Sequence, residues 1–138
     1  MKLYLDDIRY PIQSGYNNNN WVVCRNDKTF KNMFTSFERI ITDISFDHDI
    51  DSYDDKGNEI TGYDCLKWLC SYIQDNELDI SDLRLNFHSA NPVGKENMQS
   101  YWNNFQRHYK ENNLKDYTKN YDLLVSHFSS GNKDSKFF

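Results

Sequence analysis

The stretch Ile40-Ile41-Thr42-Asp43-Ile44-Ser45-Phe46-Asp47-His48-Asp49 decides how this chain is read. Its first seven residues are rich in β-branched and aromatic side chains and predict a strand. The strand stops in two carboxylates around an imidazole. The same pattern occurs twice more. Lys2–Leu5 is a short apolar-rich strand ending at Asp6-Asp7. Residues 83–87, with Leu83, Leu85 and Phe87 alternating, run into His88-Ser89-Ala90-Asn91-Pro92-Val93-Gly94. Trp21–Cys24 supplies one more strand.

Helical spacing fills the intervals. Asn26 or Asp27 can cap a helix over 28–37, with Phe30, Met33, Phe34 and Phe37 at i, i+3, i+4, i+7. Thr61 precedes a helix whose face carries Tyr63, Leu66, Leu69, Cys70 and Ile73. A long helix is expected over 95–111, with Met98, Tyr101, Trp102 and Phe105 as its inner stripe. Residues 8–20 hold Pro11, Gly15 and four consecutive Asn, and read as a loop with at most a helical turn. Residues 50–61 are polar and turn-rich. Residues 121–128 read as a short strand or helix, and 129–138 as a frayed end.

Strands alternating with helices predict an α/β fold. The expected form is a small three-layer domain of the flavodoxin-like type. Its parallel sheet has strand order 2-1-3-4, with room for an extra C-terminal element. The domain is expected over 1–112, with 113–138 an extension packed on it. In such folds ligands bind outside the carboxyl ends of the strands, where strand order reverses. That rule gathers the three polar clusters at one edge.

Composition narrows the function classes. A chain of 138 residues suits one domain. Its mean hydropathy of −0.90 would fit disorder, but 10 Tyr, 9 Phe and 3 Trp give a core real mass. The longest apolar runs are only a few residues, so no membrane span is expected. With 16 Lys+Arg against 21 Asp+Glu, a broad basic face for duplex DNA is not expected. The three cysteines, Cys24, Cys65 and Cys70, form no CxxC pair, which argues against a disulfide framework or zinc ribbon. Together with the lack of a charged-then-apolar opening segment, this points to a reducing cytoplasm.

Asp6, Asp7, Asp47 and Asp49 in one crevice would repel one another. Either some protonate, a hard cation such as Mg²⁺ compensates, or Arg9 sits among them. An Asp7–Arg9 ion pair that shapes the loop is the plainer alternative. His48 and His88 fall at neighbouring strand ends, where two imidazoles can share general acid and base work. Each could equally pack or cap a loop; His108 and His127 fall outside any cluster and read as surface residues. After His88, Pro92 stiffens the loop, Gly94 permits close backbone approach, and Asn97 falls in the first helical turn. Ser89, Asn91, Lys95 and the free N–H groups of a helix start suit a phosphate. Ordinary capping by Asn91 is the alternative. Trp21, Trp68, Tyr101 and Trp102 read as packing residues, and the cysteines as buried small apolar ones.

Three motifs in order carry a resemblance. They are Leu5-Asp6-Asp7-Ile8-Arg9-x-Pro11, Ile44-Ser45-Phe46-Asp47-His48-Asp49, and His88-Ser89-x-Asn91-Pro92-x-Gly94-x-x-Asn97-Met98. With them the chain resembles the cyclic-phosphate-processing receiver-like domains of phages and bacteria, over roughly residues 2–106. The resemblance implies a receiver-type α/β fold and a role in hydrolysing or handling cyclic phosphates on nucleotides or RNA ends. Asp6 and Asp7 match the metal-binding acidic pair of receivers, and Asp47 or Asp49 stands where the phosphoacceptor does. No fifth strand ending in the receiver's lysine is evident, so phosphorelay signalling is not expected.

The expected activity is therefore that of a cyclic-phosphate phosphodiesterase. His48, His88 and Asp47 would be catalytic. Arg9, Ser89, Asn91, Gly94, Lys95 and Asn97 would hold the phosphate. Asp6, Asp7 and Asp49 would hold Mg²⁺ or another divalent cation, although a histidine pair could act without one. The partner would be a cyclic nucleotide or an RNA with a cyclic phosphate end, in the host cytoplasm if the chain is phage-encoded. Counter-defence or RNA processing would be its use there. The alternative is a non-catalytic module that sequesters a nucleotide or a host protein.

Overall fold

Four strands pair in parallel register: β1 (Lys2–Leu5), β2 (Trp21–Cys24), β3 (Asp43–Phe46) and β6 (Arg84–Phe87). Their order is β2-β1-β3-β6, which is the expected 2-1-3-4 of the main strands. Between β3 and β6 a small antiparallel hairpin, β4 (Ser52–Tyr53) and β5 (Glu59–Ile60), forms within the polar stretch. This computed structural model describes residues 1–129, with side chains through 112. Residues 130–138 of the expected frayed end lie outside the described residues.

Side-chain alternation splits the sheet into two unlike faces. Leu3, Leu5, Ile44, Phe46, Leu85 and Phe87 share one face and are buried. Two helices cover it, α1 (Asp27–Phe37) and α2 (Gly62–Asp75). Phe30 of α1 meets Phe46 edge-on at 5.3 Å, and Phe46 stacks on Phe87 at 5.7 Å. Phe30 and Phe34 both meet Trp68 of α2. The α1 stripe fades at its end: Phe37 is 39% exposed, where the helix stops. Ile40, Ile41 and Thr42 precede β3 rather than belonging to it. Both helices start at side-chain caps, Asn26 accepting from Thr29 N and Thr61 forming a reciprocal box with Asp64.

The other face carries Tyr4 and Ser45, with exposed Asn86 beside them on β6. Its covering layer is the segment 8–20, with two 3₁₀ turns (Pro11–Ser14 and Asn18–Asn20) and no α-helix. Pro11, a left-handed Gly15 (φ +86°) and the Asn run leave no room for a longer helix. Tyr4 Oη and Ser14 Oγ are 2.8 Å apart, and the rings of Tyr16 and Trp21 lie 4.5 Å apart. The three layers are therefore helices, sheet and an ordered loop.

The last helix, α3 (Pro92–Ser129), starts three residues before the expected Lys95 and takes in residues 121–128 as helix. Two compact units are distinguished, Met1–Asn103 and a second from Asn104 onward. In the second, Phe105 stacks on Tyr109 at 5.3 Å. The first contains every candidate site residue. Among the described residues no helix is long and apolar enough to cross a membrane.

Candidate functional site

The sheet ladder runs one residue past three strand ends. Asp6 N donates to Cys24 O, Asp47 N to Leu5 O, and His88 N to Phe46 O. Those bonds hold the backbones of Asp6, Asp47 and His88 at the carboxyl edge. By alternation their side chains fall on the polar face, in line with Tyr4, Ser45 and Asn86.

Asp6, Asp7 and Asp47 come together: each offers a carboxylate oxygen, and these oxygens all lie within 4.8 Å of one another. Asp6 and Asp47 are buried. Burial pushes the Asp6 carboxyl up, but the N–H groups of Arg9 and Ile8, at 2.8 and 2.9 Å from Oδ1, together with His88 outweigh it. Its pKa ends below the usual carboxylate value. Asp47 goes the other way: burial and then the Asp6 charge raise it, against its bonds to His48 N–H and Ser89. One carboxylate thus stays ionised while its neighbour resists ionisation, the signature of crowded negative charge.

Asp49, expected in this cluster, is placed elsewhere. Its Oδ1 lies 2.9 Å from His48 Nδ1, and its side chain is 63% exposed. Asp47 takes the third carboxylate position, because it lies on the same face as Asp6 while the chain turns away after it.

The two imidazoles have different partners. His88 Nε2 lies 3.0 Å from Asp6 Oδ2, and His88 Nδ1 lies 2.7 Å from Ser45 Oγ. With Asp6 ionised, Nε2–H donates to it and Nδ1 accepts the Ser45 hydroxyl. The ring stacks on Tyr4 at 4.3 Å and 8°. Burial lowers the His88 pKa despite the Asp6 bond, which favours the neutral ring. The Asp–His–Ser connectivity looks like a nucleophilic triad, but Ser45 is 0% exposed and offers no attack path.

His48 instead engages its Nδ1 alone among the described hydrogen bonds. Its ring lies against Gly94 at the start of α3, where an added Cβ would come 2.5 Å from His48 Cδ2. Gly62 performs a similar service at the start of α2. Its N–H donates to His48 O at 2.7 Å, and a Cβ there would come 1.7 Å from Asp47 O. Both helices close on the Asp47-His48 turn only because these positions lack side chains.

The phosphate candidates divide. Asn91 caps α3, its Oδ1 accepting from Gly94 N at 3.0 Å, and Ser89 Oγ accepts from Asn91 N at 3.1 Å. These groups are occupied in shaping the loop, and Asn97 is exposed away from the named contacts. Arg9 and Lys95 instead line an open groove of about 690 Å³ together with Gln13, Ser14, Tyr16, Asn86, His88 and Gln99.

Several of these residues escape motif reading. Tyr4, Ser45 and Asn86 each stand two positions before Asp6, Asp47 and His88. Polar groups at that period in parallel strands, where runs are normally apolar, are the signal that could have found them. Arg25 left no such signal: it donates from Nη1 to Arg9 O at 2.6 Å and Asp6 O at 3.2 Å, pinning the loop after β1. Tyr10 lies under its guanidinium at 4.6 Å. The cysteines are buried, as expected.

A family model for the cyclic-phosphate processing receiver domain matches residues 1–104. The chain belongs to that family. No curated protein and no solved structure matches it significantly. The matched span of this receiver domain takes in β1 through the first turns of α3, and with them all three carboxylates, both histidines and the groove.

Proposed function

We propose that this receiver domain is a phosphoesterase that opens cyclic phosphates on nucleotides or RNA ends. The observation that carries the reading is the meeting of Asp6, Asp7 and Asp47 within 4.8 Å, beside a groove holding Arg9 and Lys95. Three clustered carboxylates, one of them reluctant to ionise, fit a hard divalent cation such as Mg²⁺ in donor type and charge. Such a cation, when bound, polarises a phosphoryl oxygen and acidifies water.

The chain's own residues supply the rest. Arg9 and Lys95 hold the phosphate by charge. His48 is the freer proton carrier, because Asp49 engages its Nδ1 and leaves Nε2 without a partner among the described hydrogen bonds. His88, with both nitrogens engaged, orients Asp6. In hydrolysis the oxygen of water bonds to phosphorus and His48 takes its proton. One ring P–O bond breaks with its electron pair, and the released sugar oxygen takes up a proton. The product is a phosphomonoester.

The engaged nitrogens of His88 also favour a second reading, a module that binds the same ligand without turnover. Mass spectrometry on cyclic nucleotides and RNA 2′,3′-cyclic phosphates, with Mg²⁺ and with EDTA, separates the two. Conversion to phosphomonoesters supports the enzyme; intact ligand recovered from denatured protein supports sequestration. A host counter-defence or RNA-processing use would follow from which substrate turns over.

A further inference from the structure

The groove beside the carboxylates has a wall chemistry that phosphate alone does not explain. Its lining has two cations, Arg9 and Lys95, and no carboxylate. Among the described residues neither cation forms an ion pair. Two such charges suit an anionic group at that end.

The rest of the wall is neutral and rich in amides. Asn86 projects from β6 on the polar face, and its side chain bonds no other described residue in the hydrogen bonds found. Gln13 commits only Oε1, to Tyr10 N–H at 2.7 Å, and keeps its NH₂. Gln99 commits Nε2, to Asn103 Oδ1 at 3.0 Å, and keeps its carbonyl oxygen. The groove therefore offers uncommitted amide donors and acceptors side by side. A nucleobase edge is a row of the same groups, and Asn and Gln amides match it where a charged side chain would not. The volume lies in the range of small-molecule sites.

We propose that this groove is a base-reading subsite. A nucleoside cyclic phosphate would place its phosphate by Arg9 and Lys95, towards the carboxylates, and its base against Asn86, Gln13 and Gln99. The proposal rests on the phosphoesterase reading and adds that the substrate carries a base which the protein recognises. A free 2′,3′-cyclic nucleotide and the last nucleotide of an RNA share that chemistry.

The test is calorimetric binding to the full chain with Mg²⁺. The probes are the four nucleoside 2′,3′-cyclic phosphates, methyl ribofuranoside 2,3-cyclic phosphate as the base-free analogue, and a trinucleotide ending in a 2′,3′-cyclic phosphate. At least one nucleotide should bind about tenfold tighter than the base-free analogue. Asn86→Leu and Gln99→Leu should each erode that preference several-fold and leave base-free binding unchanged. Both positions are exposed, and circular dichroism checks the fold. Tighter binding of the trinucleotide than of its terminal mononucleotide assigns the subsite to RNA ends; equal or weaker binding assigns it to free nucleotides. Equal affinity with and without a base, a preference untouched by both variants, or no binding at all would overturn the subsite. Turnover in the same samples is read separately: hydrolysis blind to the base keeps the phosphoesterase and removes the subsite. Base-dependent binding without hydrolysis does the reverse.

Discussion

His88 Nε2 reaches Asp6 Oδ2 at 3.0 Å across a strand that lies between them. β6 and β1 are not neighbours; β3 separates them, and the imidazole bridges over Ser45 to stack on Tyr4. The small Ser45 side chain makes that crossing feasible and supplies the second hydrogen bond. The bridge holds the buried Asp6 carboxylate towards Asp7 and Asp47.

Acid should cost the fold stability at this bridge, because it charges a buried ring. The His88 pKa is depressed by burial, so its folded form favours the neutral ring. A depressed histidine contributes stability that is present above its unfolded value of about 6.5 and is lost as pH falls through the folded pKa. Urea unfolding between pH 8 and 5 should show falling stability below about pH 6.5, and His88→Gln should flatten that slope. A slope equal in both proteins would remove His88 as its source.

Ser45→Val should destabilise the chain by about 1–3 kcal/mol, from crowding against the His88 ring and from a lost partner for Nδ1. Ser45→Ala keeps the space and loses only the bond, so it should cost less. Denaturant midpoints in the two variants give the ordering.

Mg²⁺ should raise the melting temperature of the wild type, because it binds the folded carboxylate cluster and not the dispersed chain. Asp7→Asn should remove most of that rise. Asp47→Asn should do so too, and should also stabilise the metal-free protein, since Asp47 is raised by burial and by the Asp6 charge. The sign for Asp47 is opposite to that of His88: its contribution is present below the unfolded value and lost as pH rises through the folded one. A scan with and without Mg²⁺ at pH 7 decides, and an undiminished shift in both variants would place the cation elsewhere.

The two close-approach glycines should respond differently to alanine. At Gly62 the new Cβ meets the rigid carbonyl of Asp47, so Gly62→Ala should cost at least about 1–3 kcal/mol. At Gly94 it meets the His48 ring, a side chain able to swing away. Gly94→Ala should retain most stability and lose hydrolysis, approaching the roughly 10²-fold loss expected of His48→Ala. Equal stability losses at both positions would contradict this difference.

The native thiols should be unreactive. Burial pushes Cys24 up to about 11 and Cys65 and Cys70 to about 12. Iodoacetamide at pH 8 should leave all three unmodified in the folded protein and label them in urea, as read by intact mass.

Much of the architecture is legible in local pattern. Four apolar-rich runs, a 3.6-residue stripe over Phe30 and Phe34, and the caps Asn26 and Thr61 each act over a few residues, so the chain displays them directly. The long reach of α3 is harder to see, because the polar run Lys110-Glu111-Asn112-Asn113 interrupts its stripe before Leu114, Tyr117, Tyr121, Leu124 and Phe128 resume the helical spacing. The grouping of Asp6, Asp7 and Asp47 follows from strand ends and alternation. The choice of Asp47 over Asp49 does not, since it depends on where β3 bends away.

The sequence alone determined the α/β alternation, the strand order and the carboxyl edge that gathers acids and imidazoles, because periodicity and chain connectivity constrain these. Only the tertiary structure decided the partners within that edge. His88 belongs to Asp6 and Ser45, His48 to Asp49 and Gly94, and Asn86 faces a groove with Lys95 and Arg9. Apart from His48 and its chain neighbour Asp49, those pairings join residues distant in sequence, and a hydrogen bond or a close contact is set by positions in space that no local pattern encodes.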